Sequence, residues 1–104
     1  MIRQFDVVRN PARIGRNDRP FLINIQHDHF GQNGQRIVAP LVTLRAIKPV
    51  PRLNPSFDIM NERLYLMPND LATFSVRVLG IPIANLASHR DQIIAAFDLI
   101  ITGI

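Results

Sequence analysis

Eight prolines are spread along the chain's 104 residues, at positions 11, 20, 40, 49, 51, 55, 68 and 82. Proline has no amide hydrogen and its ring clashes with the preceding helical turn, so helix interiors exclude it. Only the stretch after Pro82 carries a convincing helical pattern. Upstream, short apolar segments alternate with turn residues, and they read as strands.

The first strand is expected over residues 3–9, followed by a loop over 10–20 that is rich in Pro, Gly, Asn and Asp. Residues 21–28 read as a strand, with Phe21, Ile23, Ile25 and His27 on one face and Leu22, Asn24, Gln26 and Asp28 on the other. A turn over 29–35 follows, where Asn33-Gly34 supplies positive φ at little steric cost. The strand returns over 36–44. Pro40 makes it interrupted, bulged or an edge, since it lacks a ladder donor. Three prolines between 49 and 55 indicate an extended connection. Residues 57–60 and 62–67 form a hairpin around Asn61, and 73–80 reads as a further strand ended by Gly80.

The helix is expected from about 88 to 102, with Ser88 as N-cap and Asp91 three residues on. Ile93, Phe97, Ile100 and Ile104 recur at i, i+4, i+7 and i+11, and Ile94 and Ile101 widen that stripe. Gly103 is placed to end the helix in a left-handed conformation. Several short strands and one terminal helix predict a mainly β fold: a small barrel or bent antiparallel sheet, formed by residues 1–104 as one domain.

The apolar fraction of 47% is that of a folded chain. Without cysteine there are no disulfides and no thiolate metal sites. No apolar run approaches the ~20 residues that cross a bilayer, and no secretory h-region opens the chain. A cytoplasmic protein without membrane contact is therefore expected. The net charge is +4, and eleven of the twelve basic residues are Arg, the side chain suited to bidentate pairing with carboxylates or phosphates. Arg9, Arg13, Arg16 and Arg19 cluster in the first loop.

His27-Asp28-His29 is the most enzyme-like feature, since two His on one strand face could hold a metal. A third ligand is not evident, and no metal or other cofactor is expected. The chain has no GxSxG elbow, no phosphate-binding Gly-rich loop and no HExxH. With six Phe, one Tyr and no Trp, it also lacks aromatic platforms for stacking bases. An interaction protein without catalytic residues is favoured over an enzyme.

Two stretches carry a resemblance. FLINIQHDHFGQNGQRIVAPL (21–41) is similar to the central hairpin of CcdB-type toxins, with its Gln-x-Asp strand end, Gly-containing turn and Arg-apolar-Val-x-Pro-Leu return. LASHRDQIIAAFDLIITGI (86–104) resembles the family's C-terminal end, with its Ser-His-Arg opening, amphipathic helix and Gly-Ile finish. Gln4-Phe5 and Asp70-Leu71-Ala72 also fit. The resemblance implies an SH3-like barrel with extra strands and a C-terminal helix. It further implies a homodimeric toxin of a type II toxin–antitoxin module that binds the DNA gyrase A subunit and traps gyrase on cleaved DNA. A cognate CcdA-like antitoxin neutralises such toxins through an acidic segment that folds on binding. No direct nucleic-acid binding is expected without the antitoxin.

Residue by residue, the resemblance places the gyrase contact on Thr102, Gly103 and Ile104, on His29 and Phe30 after the Gln-x-Asp, and on Asp98. The family finish is Trp-Gly-Ile, so Thr102 stands where the Trp belongs. A gyrase-inactive homologue that keeps the fold and the antitoxin contact is the alternative reading. Arg13, Arg16 and Arg19 would pair with the acidic antitoxin. MazF-like ribonucleases share the barrel, and for that chemistry His27, Asp28, His29 and Arg36 would be the candidates.

Overall fold

The first strand starts at Asp6 rather than at residue 3, because the chain turns sharply at Phe5. In the computed structural model, which describes every residue from Met1 to Ile104, Phe5 has φ 67° and its amide donates to the Asn24 carbonyl at 2.6 Å. β1 (Asp6–Arg9) then pairs antiparallel with β2 (Phe21–Asn24). β2 stops at Asn24, short of the expected Asp28. Buried Asn24 accepts the Gln26 amide hydrogen at 3.2 Å on Oδ1 and donates to the Arg3 carbonyl at 3.0 Å, which curls the chain out of the sheet. Asp28–Asn33 forms a 3-10 turn, and Gly34 at φ 75° leads into β3 (Gln35–Val42).

β4 (Ser56–Ile59) and β5 (Glu62–Leu66) form the expected hairpin. Its two connecting residues, Met60 and Asn61, have φ 51° and 65°, the left-handed pair of a mirror-image turn. β6 is only Ala72–Ser75, not 73–80. Ser75 ends it by accepting the Arg77 amide hydrogen on its hydroxyl at 3.2 Å and the Val78 amide hydrogen on its carbonyl at 3.1 Å. β7 (Ala84–Asn85) returns to pair with β1.

The strands make one seven-stranded antiparallel sheet in the order β4-β5-β3-β2-β1-β7, with β6 also on β3. The sheet curls into a nearly closed small barrel. β3 is its axis, and the edge away from β2 is shared: Gln35–Val38 pair with β6, and Leu41–Val42 with β5. Pro40 sits at the junction. The Ile25 amide donates to the Ile37 carbonyl, so alternation along the ladder turns the backbone of position 40 toward the shared edge. There the missing donor costs no ladder bond with β2, and the Pro40 carbonyl accepts from Met67 at 3.1 Å.

Strand alternation sorts the side chains into two cores. Val7, Phe21, Ile23, Ala39 and Leu41 join Phe57, Ile59, Leu64 and Leu66 on one face. Val8, Leu22 and Val38 join Ile2 and Leu79 on the other. α1 (Arg90–Thr102) covers the first face with Ile93 and Ala96, and half-buried Phe97 packs beside them. Burying a side chain the size of Ile93 stabilises by roughly 1.5–3 kcal/mol.

Ser88 is not the N-cap. Residues Ala87–His89 form a 3-10 turn that runs directly into α1, so Ser88 lies inside helical backbone. The side-chain bond is made one turn earlier, where Asn85 Oδ1 accepts the Ala87 amide hydrogen at 2.8 Å. No helix is long and apolar enough to cross a membrane.

Candidate interaction surface

α1 leaves the barrel before it ends. Contact with the core stops at Phe97, Leu99 beyond it is half-buried, and the second half of the expected apolar stripe is uncovered: Ile100, Ile101 and Ile104 are 42%, 78% and 84% exposed. Gly103 has φ 78°, which L-residues with a Cβ rarely adopt, and its amide donates to the Leu99 carbonyl at 2.8 Å. This reversal turns Ile104 off the helix axis. Thr102 Oγ1 donates to the Asp98 carbonyl at 2.7 Å and accepts the Ile104 amide hydrogen at 3.4 Å. The Thr102 hydroxyl thus closes the last turn, and Asp98 contributes its backbone there. The result is a defined tip with apolar side chains in water.

The second group of expected contact residues lies on the Asp28–Asn33 turn. His29 and Phe30 are exposed, Phe30 by 67%, and their rings meet edge to face at 5.2 Å. The turn is held from several sides. Gln26 Nε2 donates to the Phe30 carbonyl at 2.7 Å and to the Gln35 carbonyl at 3.2 Å, while its Oε1 accepts from the Ile37 amide at 3.1 Å. Asp28 Oδ1 accepts the Gln4 amide hydrogen at 2.7 Å. No hydrogen bond, ion pair or ring contact joins this turn to the end of α1, so they present two separate exposed groups.

His27 and His29 do not face one way along a strand, because β2 ends before them. His27 caps the 3-10 turn, its Nδ1 accepting the His29 amide hydrogen at 3.0 Å, and the two rings are 6.3 Å apart. Of the two His27 ring nitrogens, Nδ1 is thus engaged by the backbone. No three His, Asp or Glu residues come together as a ligand group. Arg36 is 5% exposed, and its Nε and Nη1 donate to the carbonyls of Ile2, Gly31 and Gln35 at 3.2, 2.8 and 2.9 Å. Its guanidinium is a fastening inside the fold, which the sequence pattern alone could not distinguish from a surface cation.

The Arg-rich loop is not uniform. Arg13 is exposed with no side-chain partner, and Arg16 Nε donates only to the Ala12 carbonyl within the loop, at 2.8 Å. Arg19 is half-buried in an ion pair with Asp70. Arg9, outside the expected set, lies over the Phe21 ring at 5.8 Å and shares a cleft with Arg16, Asn10, Asn17 and Glu62. The loop therefore offers Arg13 and Arg16 outward, beside Arg9 at the end of β1, while Arg19 pins its end to Asp70 in the β5–β6 connection.

The family model described as CcdB protein matches residues 4–103. A solved structure described as an endoribonuclease in complex with its cognate antitoxin, from a mycobacterial species, superposes with a TM-score of 0.75. The alignment covers 96% of this chain and 94% of that one at 11% identity, so the likeness is one of fold.

Proposed function

The chain belongs to the CcdB protein family, and on that premise we propose that it is the toxin of a type II toxin–antitoxin module that binds the DNA gyrase A subunit and traps gyrase on cleaved DNA. The observation that carries this reading is the uncovered end of α1. Ile100, Ile101 and Ile104 are apolar, contiguous in the helix end and exposed, around a glycine reversal that fixes their direction. Exposed apolar groups on an ordered element mark a contact surface. His29 and Phe30 supply a second contact group. A homodimer and a cognate CcdA-like antitoxin belong to the same proposal, the acidic antitoxin meeting Arg13 and Arg16. Arg19 belongs less to that contact, because Asp70 already neutralises it.

Calorimetric binding to the gyrase A dimerisation region from the same host is the test. Tight binding that is lost when the chain is cut before Thr102 supports the proposal. Absence of binding by the full chain overturns it.

Thr102 favours a second reading, a gyrase-inactive homologue. Its hydroxyl is turned back onto the helix, so it extends no large side chain toward a partner. A large aromatic anchor typically dominates such contacts, and its loss costs ~2 kcal/mol or more. Recovery of binding in Thr102→Trp alone would establish this reading. RNA cleavage, the activity named for the mycobacterial neighbour, is less well supported. Stabilising a phosphorane-like transition state needs an accessible cation, and Arg36 is buried against three carbonyls. Incubation with RNA checks it: cleavage abolished by His29→Ala would revive a ribonuclease.

A further inference from the structure

The Asp28–Asn33 turn is anchored by a buried cation that has no carboxylate partner. Arg36, on β3, reaches the Ile2 carbonyl with Nε, and the Gly31 and Gln35 carbonyls with Nη1. No Asp or Glu oxygen lies within ion-pair distance of it: the four ion pairs of the chain involve Arg3, Arg19, Arg45 and Arg63. A buried guanidinium is costly to desolvate, and carbonyl acceptors must compensate it. Two of those acceptors, Gly31 on the turn and Ile2 in the N-terminal segment, are far apart in sequence, so one side chain ties both to β3.

Gly31 completes the arrangement. A Cβ built there would lie 3.0 Å from Arg36 Cζ and Nη2 and 3.1 Å from Nη1. The face of the guanidinium thus lies against the place a Gly31 side chain would take, and a methyl group there would force it to give by a few tenths of an ångström. Gly31 does not have positive φ, so the requirement is space for Arg36 and not backbone freedom. Phe30, 67% exposed, is the residue immediately before this contact. The other ties of the turn are solvent-exposed: nothing in it is buried, and they are the Gln26, His27 and Asp28 hydrogen bonds, the Asn33 Oδ1 bond from the Gln35 amide and the Arg3–Asp28 ion pair.

We propose that Arg36 and Gly31 form a clamp that positions His29 and Phe30 for partner docking, making Arg36 a positioning residue of the interaction surface. The proposal rests on the reading of that turn as a gyrase contact. The chemistry explains the choice of residues. Lys could not bond three carbonyls in the same plane, and any residue larger than Gly at 31 would push the plane away.

The experiment uses the full chain with Gly31→Ala, Arg36→Lys and the double variant. Amide hydrogen exchange is read at His29 and Phe30, whose amides donate to His27 Nδ1 and the His27 carbonyl. The reference amides are Ile25 in the β2–β3 ladder and Gly103 at the end of α1. Gly31→Ala is expected to speed exchange at His29 and Phe30 at least tenfold and to leave the reference amides within twofold. Because the clash needs the guanidinium, adding Gly31→Ala to Arg36→Lys should change little further; independent effects would multiply. Binding to the gyrase A dimerisation region is measured on the same samples, and each single variant is expected to weaken it at least tenfold. Unchanged exchange at Phe30, or equal acceleration at the reference amides, overturns the clamp. Faster Phe30 exchange with wild-type gyrase affinity overturns its role in docking. If the wild-type chain itself does not bind, the gyrase reading fails and the docking role fails with it, while exchange still decides whether the clamp exists.

Discussion

Thr102 and Arg19 show how a residue's partners decide its role. Thr102 donates its hydroxyl to Asp98 and so leaves the helix tip with no large anchor. Thr102→Trp is expected to strengthen gyrase A binding at least tenfold, since aromatic anchors contribute ~2 kcal/mol or more at such sites; calorimetry against the unsubstituted chain measures it. Arg19 and Arg13 lie in one loop yet should behave differently. Arg19→Ala removes the Asp70 pair, which is about two-fifths exposed on both sides, and should lower stability by at most ~1 kcal/mol. Arg13→Ala and Arg16→Ala should leave the melting temperature unchanged and instead flatten the salt dependence of binding to an acidic antitoxin peptide. A melting shift for Arg13→Ala equal to that of Arg19→Ala would show that the loop charges are structural alike.

At the level of elements, the β4–β5 hairpin and α1 make opposite statements about fitness of sequence for structure. Met60 occupies a left-handed position at φ 51° although it carries a long side chain. Left-handed backbone costs an ordinary residue roughly 1–2 kcal/mol, and Asn or Gly far less. Met60→Gly should therefore raise unfolding stability by about 1 kcal/mol in urea titration, minus what the weak Arg9 contact to the Met60 sulfur contributes. α1 divides at Phe97. Ile93 is 1% exposed inside the core, and Ile93→Ala should cost about 2–5 kcal/mol. Ile101 is 78% exposed, and Ile101→Asp should leave stability within about 0.5 kcal/mol while abolishing gyrase binding. Equal loss of stability in both variants would place Ile101 in a buried interface of the folded state.

For the whole molecule, the barrel core and the helix tip separate cleanly. The barrel core is closed by residues up to Phe97, and Thr102–Ile104 add nothing to it. Deleting those three residues should leave the cooperative unfolding transition within about 1 kcal/mol of the full chain and remove partner binding. A chain that unfolds without them would mean that the tip is covered in the native assembly. The net charge of +4 acts at this scale too. With most acidic residues already paired or bonded within the fold, the exposed Arg9, Arg13 and Arg16, together with the exposed Lys48, Arg52, Arg77 and Arg90, leave an outward positive charge, which favours acidic partners.

Proline spacing, strand alternation and one unbroken amphipathic stretch were enough to specify a mainly β barrel with a terminal helix. The reason is local: Pro forbids helix, period two specifies strand, and Gly103 ends α1, all without reference to distant residues. The β4–β5 hairpin was legible around Asn61 for the same reason. Element ends were not. Asn24, Asn85 and Ser75 stop or start elements through side-chain bonds to backbone groups, whose geometry depends on how the chain closes. The proposed contact residues His29, Phe30, Thr102, Gly103 and Ile104 come from the family resemblance, and their exposure was not legible in the sequence. A stripe of Ile93, Phe97, Ile100 and Ile104 reads alike whether a core covers all of it or half. Only the tertiary structure decided that the barrel ends beneath Phe97 and that Arg36 is buried, because burial is set by what packs across from a residue and not by its own periodicity.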